Sequence, residues 1–109
     1  NRPDGEEEGQ PSSATIEAAA RAMSMDYIAI PVTQAGFSQP QVQAMAKALD
    51  ATTGVTLAYC RSGTRSTRLW SLAEAASGGD PIEIATIAAE AGYDVSDLAP
   101  MLEMLSNQA

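Results

Sequence analysis

Val55-Thr56-Leu57-Ala58-Tyr59 runs straight into Cys60-Arg61-Ser62-Gly63-Thr64-Arg65-Ser66, and a helical pattern follows to Ala76. The first five residues are β-branched, apolar or aromatic, and they read as a short strand. Gly63 lets the backbone turn, and Ser77-Gly78-Gly79 ends the helix. A strand, a tight loop and a helix form the frame in which open α/β proteins bind ligands, at the carboxyl edge of the sheet. Upstream, Asp26-Tyr27-Ile28-Ala29-Ile30-Pro31-Val32 reads as a second buried strand that stops at Pro31 or Val32. Between the two lies a loop, Thr33 to Phe37, and then Ser38-x-x-Gln41, a capping box with Pro40 in the first turn. The helix it opens carries Val42, Met45, Ala46 and Leu49 on one face and ends at Thr52 to Gly54. Strand, helix, strand predicts a βαβ unit, with parallel strands and a right-handed crossover.

Three more helices are expected. Ser13 is a candidate N-cap for a helix from about Ala14 to Met23, with Ile16, Ala19, Ala20 and Met23 facing the core. Asp80-Pro81-x-Glu83 is a start signal for a helix that carries Ile82, Ile84, Ile87 and Ala88 and stops at Gly92. Ser96 caps a last helix holding Leu98, Met101, Leu102 and Leu105, and Met101 and Met104 are expected in helix packing. The predicted architecture is therefore α/β, a parallel sheet flanked by helices. Two parallel strands make a poor sheet, so one or two further strands are expected before Asn1, which is itself not a Met.

Composition narrows the function. The chain has 109 residues, 45% of them hydrophobic, which suits one small domain over residues 1–109. It has no His, which excludes Cys-His and Ser-His catalysis and imidazole-bound zinc. It has one Cys, so no internal disulfide and no CxxC pair. The pattern implies no metal and no cofactor, and a lone thiol fits a reducing, cytoplasmic setting. The net charge of −8 argues against nucleic acid as a partner. No apolar run approaches the ~20 residues of a membrane span, and no leader is visible. Glu6, Glu7 and Glu8, in the opening NRPDGEEE stretch, read as a solvated run.

Against that acidic background, Arg61, Arg65 and Arg68 fall within eight residues, and no acid occurs between Asp50 and Glu74. A loop curling over a helix start aims several N–H groups inward, and the helix dipole adds about half a positive charge. Such a cradle holds an anion. It also holds a cysteine as thiolate, because helix termini and cations lower a free thiol pKa of ~8.5 to between ~3.5 and ~7.5. Cys60 is the candidate nucleophile and Arg65 the candidate oxyanion fork. Arg61, Ser62, Gly63, Thr64 and Ser66 complete the candidate anion-binding loop. Arg2, Asp4 and Gln34 are candidate accessory residues, since their loops would lie at the same edge. A cysteine at a strand end is ordinarily a small buried hydrophobe; the arginines and hydroxyls around Cys60 weigh against that here.

The string YCRSGTRS resembles the C-R-x-G-x-R active-site loop of rhodanese-type sulfurtransferases. The wider arrangement is similar to the phosphatase-like domain of bacterial beta-lactamase hydrolase-like proteins: NRPDGEE, a helix, IPV, a helix, CRSGTRS and then AAEAGYDVSDL. That resemblance implies a dual-specificity-phosphatase-like fold and about thirty residues more at the N-terminus. It also implies either phosphatase or sulfurtransferase activity, with a persulfide dioxygenase as partner in fused members.

The chain departs from the phosphatase pattern in three places. Four residues, Arg61 to Thr64, separate Cys60 from Arg65, where phosphatases have five. Tyr59 stands where they place a histidine, and Thr33-Gln34-Ala35-Gly36-Phe37 holds none of the carboxylate they use as general acid. A general acid contributes ~10²–10⁴ in rate, whereas sulfur transfer to a thiolate needs none. The expectation is a sulfurtransferase acting through a Cys60 persulfide on a small sulfur donor. The alternatives are a phosphatase acting through a Cys60 phosphocysteine, or a non-catalytic module that binds an oxyanion or a persulfide.

Overall fold

Helices form where caps and apolar spacing ask for them. The computed structural model describes residues 1–109 and contains five α-helices: α1 (Ser13–Ala22), α2 (Gln39–Asp50), α3 (Thr64–Ala76), α4 (Pro81–Glu90) and α5 (Ala99–Gln108). The Ser38 capping box is closed on both sides: the Gln41 N–H donates to Ser38 Oγ, and the Ser38 N–H donates to Gln41 Oε1 at 2.8 Å. Asp80 accepts from the Ile82 N–H at the start of α4. The N-cap of α1 is Ser12 rather than Ser13; its Oγ accepts from the Thr15 N–H. Ser96 opens a 3-10 turn, Ser96–Leu98, and α5 begins only at Ala99, with Pro100 in its first turn.

The parallel sheet is not there. Residues 26–32 and 55–59 carry no strand assignment, and the dual-specificity-phosphatase-like sheet expected from the sequence is corrected to an all-helical assembly with two unpaired segments. Hydrogen bonding gives the reason. The Val32 N–H donates to the Asn1 carbonyl at 2.9 Å, and the Asn1 amino group donates to the Tyr59 carbonyl at 2.6 Å. Asn1 thus stands between the ends of the two segments. A residue in that place holds them about two strand spacings apart, roughly 10 Å, beyond reach of each other's backbone. Val55, Leu57 and Ile28 are left exposed on these segments.

Helix α3 is the hub, packed against α2, α4 and α5. Its Leu69, Leu72, Ala73 and Ala75 meet Val42 and Met45 of α2, Ile84 of α4, Leu102 of α5, and Ile30 and Val32. Leu69 and Val32 are wholly buried, so the helix that starts at the cradle is fixed by the centre of the core. Several expected core positions are exposed instead: Met23, Ile82, Ile87, Met101 and Met104. Helix α1 buries no residue at all.

Candidate functional site: a cysteine cradle at the start of α3

Cys60 follows the second unpaired segment, and three residues later the chain is already turning into α3. Gly63 makes this possible. It is the N-cap of α3 at φ +89°, in the left-handed region that favours glycine. The space a Cβ would need at Gly63 is taken by the Tyr93 hydroxyl. The turn carries the Gly63 N–H to 3.1 Å from Cys60 Sγ. Burial alone would raise the thiol pKa; the N–H groups of Ser66, Ser62 and Gly63 outweigh it and bring it from 9.0 to about 7. Near neutral pH, thiol and thiolate are therefore both well populated.

The loop is braced on every side. The Gly63 carbonyl accepts from the Thr67 N–H at 2.9 Å and from Thr67 Oγ1 at 2.8 Å. The Ser62 and Thr64 hydroxyls lie 3.1 Å apart, and Tyr93 Oη donates to the Ser62 carbonyl at 3.0 Å. The buried Ser66 hydroxyl donates to Asn1 Oδ1 at 2.8 Å, and Asn1 Nδ2 donates to the Ile30 carbonyl at 2.9 Å. One residue, Asn1, thus ties α3 to both unpaired segments.

The arginines divide sharply. Arg65 is buried and donates to the Glu6 carboxylate through both terminal nitrogens, at 2.7 and 2.8 Å, and to the Val32 carbonyl at 2.6 Å. Its charge is held firmly in place, first by its hydrogen bonds to Glu6 and also by Cys60. Arg68 points away to a two-point ion pair with Asp97, at 2.9 and 2.5 Å. Arg61 is exposed, with Glu7 at 3.9 Å.

The accessory candidates separate too. Arg2 pairs with Glu6 at 3.2 Å and Glu7 at 3.0 Å. Asp4 accepts from the Ser13 N–H at 2.7 Å and so holds the start of α1, not the cradle. Gln34 is exposed and its side chain has no hydrogen-bond partner in the protein. The run Glu6 to Glu8 is not simply solvated: Glu6 and Glu7 are both engaged by arginines. Glu6, Tyr93 and Asn1 are the contributors that sequence reasoning missed. Each meets the cradle across 31 or more residues of chain, for which no local pattern exists.

Behind Cys60, the Tyr59 hydroxyl lies 3.0 Å from that of Tyr27, which lies 2.7 Å from Ser13 Oγ. Burial first, and then the hydrogen bond with Tyr27, push the Tyr59 phenol up to about 12, so it is a poor proton donor. No cluster of carboxylates or thiols able to hold a metal ion is present, and no helix is long and apolar enough to cross a membrane.

Comparison with known proteins places this geometry in context. Residues 1–77 match the model of the phosphatase-like domain of beta-lactamase hydrolase-like proteins. A beta-lactamase hydrolase-like protein from Xylella fastidiosa is 34% identical over 103 residues, covering 94% of this chain and 24% of that protein. One from Agrobacterium fabrum is 39% identical over 77 residues, covering 71% of this chain and 18% of that protein. The chain thus spans less than a quarter of the length of these curated relatives. A crystal structure of a candidate phosphatase from Neisseria meningitidis superposes with a TM-score of 0.78 at 32% identity, over 96% of this chain and 75% of that one.

Proposed function

The chain belongs to the family of phosphatase-like domains of beta-lactamase hydrolase-like proteins, and from that membership and the cradle we propose that it is a cysteine-dependent phosphatase-like hydrolase. The observation that carries the reading is the thiol brought to about 7 at the mouth of the Ser62, Gly63 and Ser66 N–H groups. An oxyanion seated on those donors would be oriented for attack by Sγ, and its developing charge would be met by preorganised dipoles.

In the first step an S–P bond forms as the ester P–O bond breaks, and the alcohol leaves as its anion. In the second, water breaks the S–P bond; phosphate departs and the thiolate is restored. Nothing in Thr33 to Phe37 can protonate the leaving oxygen. Esters whose alcohols leave readily as anions, aryl phosphates above all, are therefore the favoured class. The four-residue spacing from Cys60 to Arg65 is the one feature that favours a second reading, sulfur transfer. The shorter ring of donors fits a terminal sulfur more closely than a tetrahedral phosphate.

The test is intact-mass analysis of Cys60 after rapid acid quenching with para-nitrophenyl phosphate, beside the same protein exposed to thiosulfate or glutathione persulfide. A phosphoryl adduct that forms and decays with turnover is expected. A stable sulfane-sulfur adduct on Cys60, with no phosphoryl adduct, would overturn hydrolysis in favour of sulfur transfer.

A further inference from the structure

The Ser62 carbonyl and the Gly63 N–H belong to one planar peptide group, and both of its ends are engaged. The Gly63 N–H donates to Cys60 Sγ at 3.1 Å, and the Ser62 carbonyl accepts from Tyr93 Oη at 3.0 Å. Phenol, peptide and thiol therefore lie in series. The peptide between them is easy to turn. Gly63 stands at φ +89°, and a residue without a Cβ tolerates either sense of the peptide plane. Turned over, the group would aim its carbonyl oxygen at Sγ and its N–H away. Tyr93, by contrast, is fixed: its own N–H donates to the Ala88 carbonyl at 2.9 Å, and Val95, two residues on, is buried.

We propose that Tyr93 is a positioning residue for the Cys60 nucleophile: its phenol O–H holds the Ser62–Gly63 peptide with the N–H on Sγ and, by polarising that peptide, strengthens the N–H as a donor. This rests on reading Cys60 as the nucleophile. The relay has a direction. The phenol donates, the peptide passes the polarisation on, and the sulfur accepts, as in other chains of hydrogen bonds. A thiolate is the stronger acceptor of the two sulfur forms, so the relay favours it.

Relay and simple packing are separable, because only the relay depends on how strongly the phenol donates. A ring that merely fills the space beside Gly63 does so equally well as Phe. The other charged groups that act on the thiol are Arg65 on α3 and the Asn1 amino group beside the unpaired segments. Arg65 hydrogen-bonds to Glu6 and Val32, and the Asn1 amino group to Tyr59. Neither bonds to Tyr93, so both are common to every variant.

The experiment follows iodoacetamide alkylation of Cys60 against pH in the full chain, in Tyr93→Phe, and in the chain carrying 3-fluorotyrosine at position 93, whose phenol is more acidic and a stronger donor. Tyr93→Phe is expected to move the inflection up by about half a pH unit or more, roughly a threefold loss of ionisation and the scale of one net hydrogen bond. The fluorinated ring is expected to move it down. It supplies the answer alone if circular dichroism shows that Tyr93→Phe is unfolded. An inflection that does not rise in folded Tyr93→Phe overturns the relay, as does one that does not fall with the fluorinated ring, and either result leaves the hydrolase reading standing. Shifts of both expected signs, with no phosphoryl adduct at Cys60 under turnover conditions, refute the hydrolase reading and leave Tyr93 in place.

Discussion

Tyr93 Oη donates to the carbonyl of Ser62 and fills the space beside Gly63 that a side chain there would need. A residue from the loop after α4 thereby presses on the cradle from outside and holds Ser62 and Gly63 with their N–H groups turned towards Cys60. Gly63 is doubly constrained, by its φ of +89° and by Tyr93.

Gly63→Ala should therefore be among the most damaging small changes in the chain. The left-handed backbone alone costs about 1–2 kcal/mol for a residue with a Cβ, and the collision with Tyr93 adds to it. Tyr93→Phe removes only the hydroxyl, and with it a hydrogen bond worth about 0.5–1.5 kcal/mol. Chemical denaturation should rank Gly63→Ala well below Tyr93→Phe. Combining Gly63→Ala with Tyr93→Ala should recover the steric part but not the backbone part. Equal stability of Gly63→Ala and the unmodified protein would mean that the turn is not held as described.

Alkylation of Cys60 by iodoacetamide should rise with pH through an inflection near 7, where the thiolate forms, and not near the ordinary 9.0. The same shift is linked to stability. A thiol whose folded pKa is lowered contributes stability fully above its unfolded value of 9.0, and that contribution fades as pH falls through 7. The melting-temperature difference between the unmodified protein and Cys60→Ser should thus be larger at pH 9 than at pH 6. Cys60→Ser should also abolish turnover with its circular dichroism unchanged. An inflection at the ordinary thiol value would remove the N–H cradle from the account.

Arg65 and Arg68 lie three residues apart on one helix, yet they should behave differently. Arg65→Lys keeps a charge but cannot hold Glu6 and an oxyanion at once, so kcat/KM should fall by about 10²-fold or more, the scale of a lost oxyanion donor. Arg68→Ala breaks an ion pair with the exposed Asp97, and turnover should stay within about twofold, as for exposed pairs generally. If the two effects exchange places, the fork has been assigned to the wrong arginine.

How much of this was legible in the sequence depends on whether the decisive contact is local. The Ser38 capping box, the Asp80 cap and the glycine turn at Gly63 are settled by neighbours within a few residues, and their pattern is readable. A strand is different. Residues 26–32 and 55–59 have the composition of strands, but a ladder needs a partner at hydrogen-bonding distance, and Asn1 stands between their ends. Propensity describes the segment and says nothing of its neighbour. The cradle shows the same division. Cys60, Gly63 and Arg65 could be singled out by spacing, whereas Glu6 looked like one of three equivalent acids. What distinguishes it is an arginine 59 residues away.

The missing carboxylate leads to the last expectation. Arg65 donates to the Val32 carbonyl, so Thr33 to Phe37 leaves directly from the rim of the cradle, and this loop contains no acid. Without a proton donor, hydrolysis should depend steeply on the leaving group, with para-nitrophenyl phosphate turned over and alkyl phosphates hardly at all. Gln34 is exposed and has no hydrogen-bond partner in the protein to lose. Gln34→Asp should therefore fold normally and place a carboxyl where a departing alkoxide could take its proton. Up to about 10²-fold of alkyl-ester turnover should appear, the low end of general-acid catalysis. A descending limb should appear in the pH profile, with activity falling as pH rises and the new carboxyl ionises. Para-nitrophenyl phosphate should gain little, because its leaving group needs little protonation. Efficient alkyl-phosphate hydrolysis by the unmodified protein, with a shallow dependence on leaving-group pKa, would show that another proton donor reaches the cradle. Tyr59, with its pKa near 12, would not be the one.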